Sequence, residues 1–578
     1  MARTRQELTA EVREWISSDP DPETQQELNN LLEQEDWTGL EERFDGPLQF
    51  GTAGLRGLVG GGPSRMNRVT VAQATAALAR QLMRDVLDAA QRGVVVARDG
   101  RNMSPELAEV TAETLLGYGL NVHFMEGPTP TPLAAYAGLK LNTAATVVVT
   151  ASHNPPAYNG YKVYAECHHQ IVSPQDARIR DEREQLGAAS TIPRLALDKA
   201  REEGMLKDVP QRVVDAYYAD IASQCMGPKV PEAQVRIVTT ALHGVGHPFV
   251  HRALTMRGFT ELFPVEEQAE PDGNFPTVTF PNPEEDGALD LASDLGRRVG
   301  AELLIANDPD ADRLACGVFT ANGVRLLSGN EIGVLLADWL LSQARSQGML
   351  PARSAVLSTI VSTQMLDAIA HDYGVECHRT LTGFKFIWEK ALALSEEGID
   401  FRFGFEEALG YCVGKAVRDK DGIGAALIAA ELASHLKAGG KTLLDRLEEL
   451  YLRHGFYATS QVATTLAGLE GRKTIARIMQ SLRDNSPSSI ADSCVVSHVD
   501  LQASESGLGP ANVLQWDLED GSRVIFRPSG TEPKLKAYLE TRTEVDGSSL
   551  SIAQSEARAR LEELELWVKR TVAERGGS

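Results

Sequence analysis

The sequence predicts an α/β fold with four domains, and three observations lead to this prediction. The chain has 578 residues, which exceeds what one hydrophobic core normally serves. From Gly51 onward, apolar runs typical of strands alternate with amphipathic helical stretches, and this rhythm starts three times. From about Phe456 the apolar runs become shorter, and a long helical stretch follows them. We therefore expect three related α/β domains and a smaller C-terminal α+β domain.

The N-terminal residues 1–45 are polar and carry apolar side chains at helical spacing. These side chains form two groups, which are Leu8, Val12 and Trp15, and then Leu28, Leu31 and Leu32. The sequence "SSDPDPE" between the groups supplies a break and candidate helix caps. We expect a helical N-terminal arm.

The breaks in the rhythm predict four domains after the arm, at 46–215, 216–325, 326–453 and 454–578. The first three contain, in turn, the strand-like runs "TAATVVVT", "ELLIA" and "FRFGF". The fourth contains "YATSQVATT", "SCVVSHVDL", "NVLQWDL" and "SRVIFRP". Polar motifs follow these runs, one in each domain, at the place where open α/β sheets keep their ligand sites. This distribution predicts a cleft between domains.

Composition excludes several classes of partner. Lys and Arg number 57 against 80 Asp and Glu, which gives a net charge of −23 and disfavours a nucleic acid or an anionic membrane. The six cysteines contain no C-x-x-C pair, as is typical of a reducing cytosol. The N-terminus lacks an apolar signal segment, and no stretch reaches 18 apolar residues. We expect a cytoplasmic monomer or homodimer that acts on small molecules, with any anion site confined to a local basic pocket.

The motif "TASHNP" places Ser152 and His153 directly after an apolar run. A Ser-His hydrolase is one interpretation, but adjacent residues of an extended chain point in opposite directions, so His153 is a poor base for Ser152. No G-x-S-x-G elbow surrounds the serine. A serine that only caps a loop remains an alternative.

The motif "NDPDADR" places three carboxylates, Asp308, Asp310 and Asp312, at alternate positions after "LLIA". Alternate residues of an extended loop share a face, so these side chains converge and repel one another unless a cation binds. Oxygen ligands select Mg²⁺ or Ca²⁺, and Arg313 replaces the glycine that an EF-hand requires. Mg²⁺ leaves positions free for phosphate oxygens, so the motif predicts a magnesium site, with a solvated acidic turn as the alternative.

Two further motifs suit a phosphorylated sugar. "RPSGTEPK" clusters Arg527, Ser529, Gly530 and Thr531 on a tight turn, and such a cluster forms a phosphate cradle. In "GFEEALGY", an acidic pair begins at Glu406 and is typical of binding to sugar hydroxyls, although a solvated turn is an alternative. Thr52, Arg56, Lys162, Lys385 and Lys420 lie in other short motifs, and the cationic ones supply the positive charge that phosphoryl transfer needs.

Five motifs in order, "GTAGLRG", "TASHNP", "DPDADR", "GFEEALGY" and "RPSGTEPK", closely resemble the α-D-phosphohexomutase superfamily. The phosphoglucomutase and phosphopentomutase branch is nearest, through "GTAGLRG" and "NGYKVY". The resemblance implies four domains around a central cleft and a phosphosugar mutase that interconverts sugar 1-phosphate and sugar 6-phosphate through a sugar 1,6-bisphosphate. Glucose phosphates are the substrates that it implies first.

The resemblance also assigns roles. Ser152 would be the phosphoserine, whose phosphate joins Asp308, Asp310 and Asp312 as a Mg²⁺ ligand. Arg56 and Arg313 would contact phosphate, and the cradle from Arg527 to Thr531 would hold the substrate's other phosphate. Thr382, Gly383, Glu406 and Lys420 match sugar-handling positions. His153, Lys162 and Lys420 are candidates for proton transfer.

One departure from the family pattern concerns the sugar. The phosphoglucomutase loop typically reads Glu-Glu-Ser, whereas this chain has Ala408 after its two glutamates. Phosphomannomutase and phosphopentomutase activities therefore stay open. Two functions of a different class also stay open, namely a haloacid-dehalogenase-like phosphatase, which likewise places D-x-D after an apolar strand, and a non-enzymatic sugar-phosphate sensor.

Overall fold

The computed structural model describes residues 3–51, 54–466, 468–503, 507–529, 534–545 and 549–577. The chain packs as two units. The first comprises Met1–Leu327, Phe384–Leu392 and Leu409–Ala438, and the second comprises Ser328–Gly383, Ala393–Ala408 and Gly439–Ser578. Within the described ranges, no helix combines the length and the apolar character that a membrane crossing needs.

The N-terminal segment of the first unit forms three helices, α1 (Arg5–Ser18), α2 (Pro22–Glu33) and α3 (Trp37–Arg43). A capping box of Thr4 and Glu7 starts α1, and the Asp21 side chain caps α2. The helices bury a shared apolar cluster, which consists of Leu8, Val12, Leu28, Leu40 and Phe44.

The first sheet has six strands in the order β1-β5-β4-β2-β3-β6. Its strands are β1 (Leu55–Leu58), β2 (Val94–Arg98), β3 (Val122–Phe124), β4 (Ala145–Val149), β5 (Tyr158–Tyr164) and β6 (Leu206–Asp208). Its helices are α4 (Arg68–Asp85), α5 (Ala89–Arg92), α6 (Ser104–Gly117), α7 (Thr131–Leu141), α8 (Gln175–Glu184), α9 (Leu197–Glu202) and α10 (Gln211–Ser223). Every residue of β4 is buried, as expected for a strand covered on both faces. Its carboxyl end leads directly into the loop that contains Ser152.

The second sheet also lies in the first unit, with the strand order β11-β10-β9-β7-β8. Its elements are β7 (Ile237–Thr240), α11 (His247–Met256), β8 (Leu262–Pro264), α12 (Asp290–Val299), β9 (Leu303–Ala306), β10 (Ala315–Thr320) and β11 (Gly323–Leu326). The buried strand β9 runs parallel to β7. The loop of three aspartates follows the end of β9.

The next segment alternates helices and strands. Its elements are α13 (Gly329–Ser346), β12 (Ser354–Thr359), α14 (Met365–Tyr373), β13 (Glu376–Thr380), α15 (Phe384–Glu396), β14 (Asp400–Glu406), β15 (Gly410–Val413), α16 (Gly422–Ala438) and α17 (Leu443–His454). In the second unit, β12 pairs in parallel with both β13 and β14. The β15 strand and α16 belong to the first unit.

The C-terminal segment forms an antiparallel sheet in the second unit, with the order β16-β21-β20-β19-β18-β17. Its elements are β16 (Phe456–Thr465), α18 (Gly468–Asp484), β17 (Ser489–Ile490), β18 (Ser493–Asp500), β19 (Leu514–Leu518), β20 (Arg523–Pro528), β21 (Lys534–Thr543) and α19 (Leu550–Gly576). Trp516 and Phe526 of the sheet pack in one core with Leu564 and Val568 of α19. Four of these six strands coincide with the strand-like runs of the sequence, and β17 and β21 are additional strands.

Candidate active site

Ser152 lies in a left-handed turn just beyond β4, with φ of 56°. Its backbone N–H donates to Oγ1 of Thr150 over 2.8 Å, which holds the turn. The side chain is buried, and its hydroxyl donates to Oδ2 of Asp308 over 2.8 Å. The serine of the first sheet therefore meets the aspartate loop of the second.

The His153 ring lies against the same serine. Its Nδ1 is 3.2 Å from Oγ of Ser152, so the expectation that the two side chains point apart is wrong. That expectation assumed an extended backbone, whereas the left-handed turn at Ser152 brings adjacent side chains to one side. Burial, together with the positive charges of Arg313 and Arg56, lowers the pKa of His153 well below its usual value. This shift favours the neutral ring and makes it a weaker proton acceptor than an exposed histidine.

The three aspartates converge as predicted from their alternation. One carboxylate oxygen from each of Asp308, Asp310 and Asp312 lies within 4.8 Å of the others, and all three residues are buried. The loop is fixed locally because the backbone N–H of Arg313 donates to Oδ1 of Asp308 over 3.1 Å. The Asn307 side chain donates to the Arg313 carbonyl over 2.7 Å.

Two lysines join this cluster. Nζ of Lys162 donates to Oδ2 of Asp310 over 2.6 Å and to Oδ2 of Asp312 over 2.8 Å. The register of β4 and β5 pairs Lys162 with Val148, which brings the lysine to the end of β4. Nζ of Lys420 is 3.3 Å from Oδ2 of Asp312. Both lysines therefore bring positive charge to the aspartates.

The cluster offers carboxylate oxygens to a cation. Burial and the charges of Asp310 and Asp312 raise the pKa of Asp308 well above its usual value. Burial also opposes ionisation of Asp312, but Lys162, with Lys420 and Arg313, outweighs it and lowers that pKa. Oδ1 of Asp310 and Oδ1 of Asp312 are buried and have no hydrogen-bond partner in the described part of the chain. These oxygen donors suit a hard divalent cation such as Mg²⁺.

Two arginines provide donors beside the serine. Nε of Arg313 is 3.8 Å from carboxylate oxygens of Asp308 and Asp312, and Nη1 of Arg56 donates to Oδ1 of Asn154 over 3.0 Å. Burial and the like charge of Arg313 lower the pKa of Arg56. Nε of each arginine is buried without a hydrogen-bond partner among the described residues. Such donors are suited to an anion.

Three of the four predicted sugar-handling residues, Thr382, Gly383 and Glu406, lie in the second unit, whereas Lys420 lies in the first. The Gly383 N–H donates to Oε1 of Glu406 over 2.7 Å. Oγ1 of Thr382 is buried and has no hydrogen-bond partner in the described ranges. Glu407, the second member of the acidic pair, accepts a hydrogen bond from the Ser362 hydroxyl over 3.0 Å. Glu406 and Glu407 therefore have different local partners, and the sugar-handling roles stay predictions.

Three of the remaining predicted residues, Arg527, Ser529 and Lys385, lie in the described part of the chain. Arg527 lies near the end of β20, and the backbone N–H of Ser529 donates to the carbonyl of Lys534 over 2.8 Å. The ammonium of Lys385 lies 5.5 Å from the ring centroid of Phe386. Three predicted residues lie outside the described residues, namely Thr52, Gly530 and Thr531.

Two residues of the site escaped sequence reasoning. Thr131, the first residue of α7, donates its hydroxyl to Oδ2 of Asp310 over 2.5 Å, and its N–H donates to the Asp310 carbonyl over 3.0 Å. The guanidinium of Arg101 donates to the carbonyls of Ser152 and Asn154. The position of Arg101 in "RDGR", at the end of an apolar run like that before Ser152, was an available signal, whereas no pattern marks Thr131.

Four family models match the chain in order. They are described as phosphoglucomutase/phosphomannomutase α/β/α domain I over residues 47–189, domain II over 215–321, domain III over 328–454, and the C-terminal domain over 485–550. These matches confirm the predicted fold class of three α/β domains and a smaller C-terminal domain. The domain boundaries drawn from the sequence remain a proposal.

Known proteins match over most of their length. A probable phosphomannomutase of Haemophilus influenzae is 40% identical over 491 residues, which cover 82% of this chain and 93% of that protein. The human phosphopentomutase is 34% identical over 565 residues, which cover 92% of this chain and 91% of that protein. A solved structure of a phosphoglucomutase/phosphomannomutase family protein from Burkholderia thailandensis has a TM-score of 0.67 and 21% identity, covering 92% of this chain and 98% of that one.

The matches favour a mutase over the haloacid-dehalogenase-like phosphatase and the sensor that the sequence left open. The Haemophilus influenzae and human relatives are both named as mutases of phosphorylated sugars. The chain therefore belongs to the phosphoglucomutase/phosphomannomutase family of the α-D-phosphohexomutase superfamily and is a phosphosugar mutase, an isomerase.

Proposed function

We propose that the enzyme interconverts glucose 1-phosphate and glucose 6-phosphate, with Ser152 as the phosphoryl carrier and glucose 1,6-bisphosphate as the intermediate and activator. The observation that carries this proposal is the 2.8 Å hydrogen bond from the buried Ser152 hydroxyl to Asp308. A hydroxyl at a buried cluster of carboxylates and cations supports phosphoryl transfer more than hydrolysis of an ester by a Ser-His pair.

The reaction consists of two transfers. In the first, the phosphate of Ser152 passes to a sugar hydroxyl, so a sugar O–P bond forms, the Oγ–P bond breaks, and the proton of the sugar hydroxyl moves by way of a base to the freed Oγ. In the second, the other phosphate of the bisphosphate passes to Oγ of Ser152, so an Oγ–P bond forms, the other sugar O–P bond breaks, and the Oγ proton moves by way of a base to the freed sugar oxygen. The sugar monophosphate is thereby isomerised with no net consumption of bisphosphate.

Named residues serve each part of this cycle. Mg²⁺ held by Asp308, Asp310 and Asp312 would neutralise charge on the transferring phosphoryl group. Nδ1 of His153 lies 3.2 Å from Oγ of Ser152 and is a candidate to receive and return the proton. Burial opposes the charge of Lys162, but Asp310 and Asp312 outweigh it and raise the pKa of Lys162. Lys162 holds those two carboxylates in place, and Lys162 and Lys420 are the other candidates for proton transfer.

Phosphate and sugar contacts come from other residues. Arg56 and Arg313 would hold the phosphate near Ser152, as their buried donors support. Glu406, held by the Gly383 N–H, would accept hydrogen bonds from sugar hydroxyls. Lys385 and Lys420 would add positive charge, and the Arg527 turn would bind the second phosphate while the other end of the sugar reacts.

Pentose phosphate is the second candidate substrate. Ala408 occupies the position of a serine in the glucose-specific pattern, so one hydroxyl that would contact a hexose is missing. The human relative at 34% identity carries the name phosphopentomutase, and the relative at 40% identity is named a probable phosphomannomutase. Both facts support testing sugars other than glucose.

A panel of sugar 1-phosphates tests the proposal. Glucose, mannose, glucosamine and ribose 1-phosphates are compared at equal concentration with Mg²⁺ and a trace of glucose 1,6-bisphosphate. We expect the highest kcat/KM for glucose 1-phosphate. A higher value for ribose 1-phosphate would identify a phosphopentomutase, and release of inorganic phosphate without isomerisation would contradict mutase chemistry.

A further inference from the structure

Arg101 is a buried cation behind the serine loop. It is 2% exposed, and its guanidinium donates to the backbone carbonyl of Ser152 and to those of Asn154 at 2.6 Å, Pro155 at 3.0 Å and Tyr158 at 3.2 Å. A single side chain thus satisfies three carbonyls of the segment that connects β4 to β5 and the carbonyl of Tyr158, the first residue of β5. Charged donors make the stronger hydrogen bonds, so this segment depends on Arg101 for its shape.

Neighbouring residues fix the orientation of the guanidinium. Nε of Arg101 lies 3.2 Å from Oδ2 of Asp99. Oδ1 of Asp99 accepts hydrogen bonds from the Arg101 N–H at 3.0 Å and from the Ser104 hydroxyl at 2.7 Å. The Phe275 ring covers one face, with its centroid 5.0 Å from Cζ of Arg101. A carboxylate and a ring thereby hold the arginine in one position.

The backbone turn at Ser152 requires contacts that hold it. Its φ of 56° lies in the left-handed region, which a serine adopts only when its surroundings impose it. The Arg101 hydrogen bond to the Ser152 carbonyl acts on the same residue, while the Thr150 hydroxyl holds the N–H. Both contacts aim Oγ at Asp308.

We propose that Arg101 is a positioning residue for phosphoryl transfer, which holds the backbone of residues 152–158 so that Oγ of Ser152 stays beside Asp308. The inference rests on the proposed role of Ser152 as the phosphoryl carrier. Arg101 acts through the backbone and need not touch the sugar phosphate.

The test uses Arg101→Gln, Arg101→Lys and the control Arg98→Gln. Arg98 lies at the end of β2, where it donates to the carbonyls of Asp99 at 3.2 Å and Glu126 at 3.4 Å. Dephosphorylated enzyme is mixed with glucose 1,6-bisphosphate and Mg²⁺, and the rate of Ser152 phosphorylation is followed by mass spectrometry. Hydrogen exchange of peptides covering residues 150–160 is measured on the same proteins without substrate.

We expect Arg101→Gln to slow phosphorylation about 100-fold, as a misplaced reacting group does, and to speed exchange in residues 150–160. Arg101→Lys restores part of the rate, to about tenfold below wild type, because an ammonium has three donors for four carbonyls. Arg98→Gln stays within about twofold of wild type in both measurements, because it leaves the serine loop intact.

The outcomes separate the two claims. If wild-type enzyme takes up no phosphate on Ser152, the carrier role fails and this inference fails with it. If wild-type enzyme is phosphorylated and a cooperatively melting Arg101→Gln enzyme matches its rate, the inference alone is overturned. Should Arg101→Gln fail to fold, an Arg101→Lys enzyme with wild-type rate and exchange overturns it equally.

Discussion

Asp310 has two distinct oxygen atoms at the centre of the site. Oδ2 accepts hydrogen bonds from Lys162 and Thr131, while Oδ1 is buried without a hydrogen-bond partner among the described residues. Oδ2 therefore joins Asp310 to its neighbours in the cluster, whereas Oδ1 is suited to bind a cation. Neutralising this carboxylate should therefore separate metal binding from folding.

Asp310→Asn is expected to lower kcat by about 100-fold or more, because an amide oxygen is a weaker ligand for Mg²⁺ than a carboxylate. The fold should persist, because an amide oxygen can still accept the hydrogen bonds from Lys162 and Thr131, and Lys162 keeps its ion pair with Asp312. Steady-state rates across a Mg²⁺ titration and circular dichroism on heating measure the two effects. Asp294→Asn, at an exposed carboxylate of α12, is the control. Full activity of Asp310→Asn, or of wild-type enzyme in excess EDTA, would refute the metal role.

Sequence alone located most of the residues around Ser152 but not how they touch. The alternation of the three aspartates predicted their convergence, because side-chain direction follows from local backbone geometry. The contact of His153 with Ser152 was missed because it depends on one left-handed dihedral angle. Thr131 was missed because its partner Asp310 is 179 residues away in sequence, and no local pattern encodes such a contact.

At the scale of elements, buried strands were the most predictable features. The β2, β4 and β9 strands consist almost wholly of apolar residues, since both faces of each are covered. The β21 strand was not predicted, because "KLKAYLETRT" mixes charges with apolar residues and follows directly on the proposed phosphate turn. The short α3 was also not predicted, because seven residues give too little helical periodicity.

The loop after β7 packs closely against the aspartate loop. A Cβ on Gly244, in the loop after β7, would lie 2.3 Å from Cα and 2.5 Å from the carbonyl oxygen of Pro309. Pro309 stands between Asp308 and Asp310, so Gly244→Ala should displace the aspartate loop. We expect the free energy of unfolding to fall by about 2 kcal/mol or more, together with a loss of activity.

Urea denaturation and steady-state kinetics check this expectation. Gly127→Ala is the matched control, since a Cβ there meets nothing within 4 Å, and its effect should stay below about 0.5 kcal/mol. A Gly244→Ala enzyme with both the stability and the rate of wild type would show that the loops do not depend on this contact.

At the scale of the whole molecule, the chain is negatively charged although cationic side chains concentrate around Ser152. The chain carries −23 overall, yet Arg56, Lys162, Arg313 and Lys420 gather around Ser152 and the aspartates within the first unit. An anionic substrate is therefore expected to bind where these cations concentrate. Glu406 and Arg527 belong to the second unit, and their proposed roles require separate tests.

Arg527→Ala tests the contribution of the second unit. Loss of a charge-assisted contact to phosphate should lower kcat/KM for glucose 1-phosphate by a factor that corresponds to a loss of about 2 kcal/mol in transition-state stabilisation. Arg542→Ala, at a half-exposed arginine of β21 that pairs with Glu544, should leave kcat/KM near wild type. Unchanged kinetics for Arg527→Ala would remove the Arg527 turn from the mechanism.

The central claim is that Ser152 carries the phosphoryl group, and peptide mass spectrometry of the purified enzyme tests it most directly. We predict phosphate on Ser152 in part of the population, and recovery of activity when dephosphorylated enzyme receives a catalytic amount of glucose 1,6-bisphosphate. Ser152→Ala should lose about a thousandfold or more in turnover, whereas Ser190→Ala, at an exposed serine, should not. Phosphate found only on another residue, or a Ser152→Ala enzyme with wild-type turnover, would contradict the account.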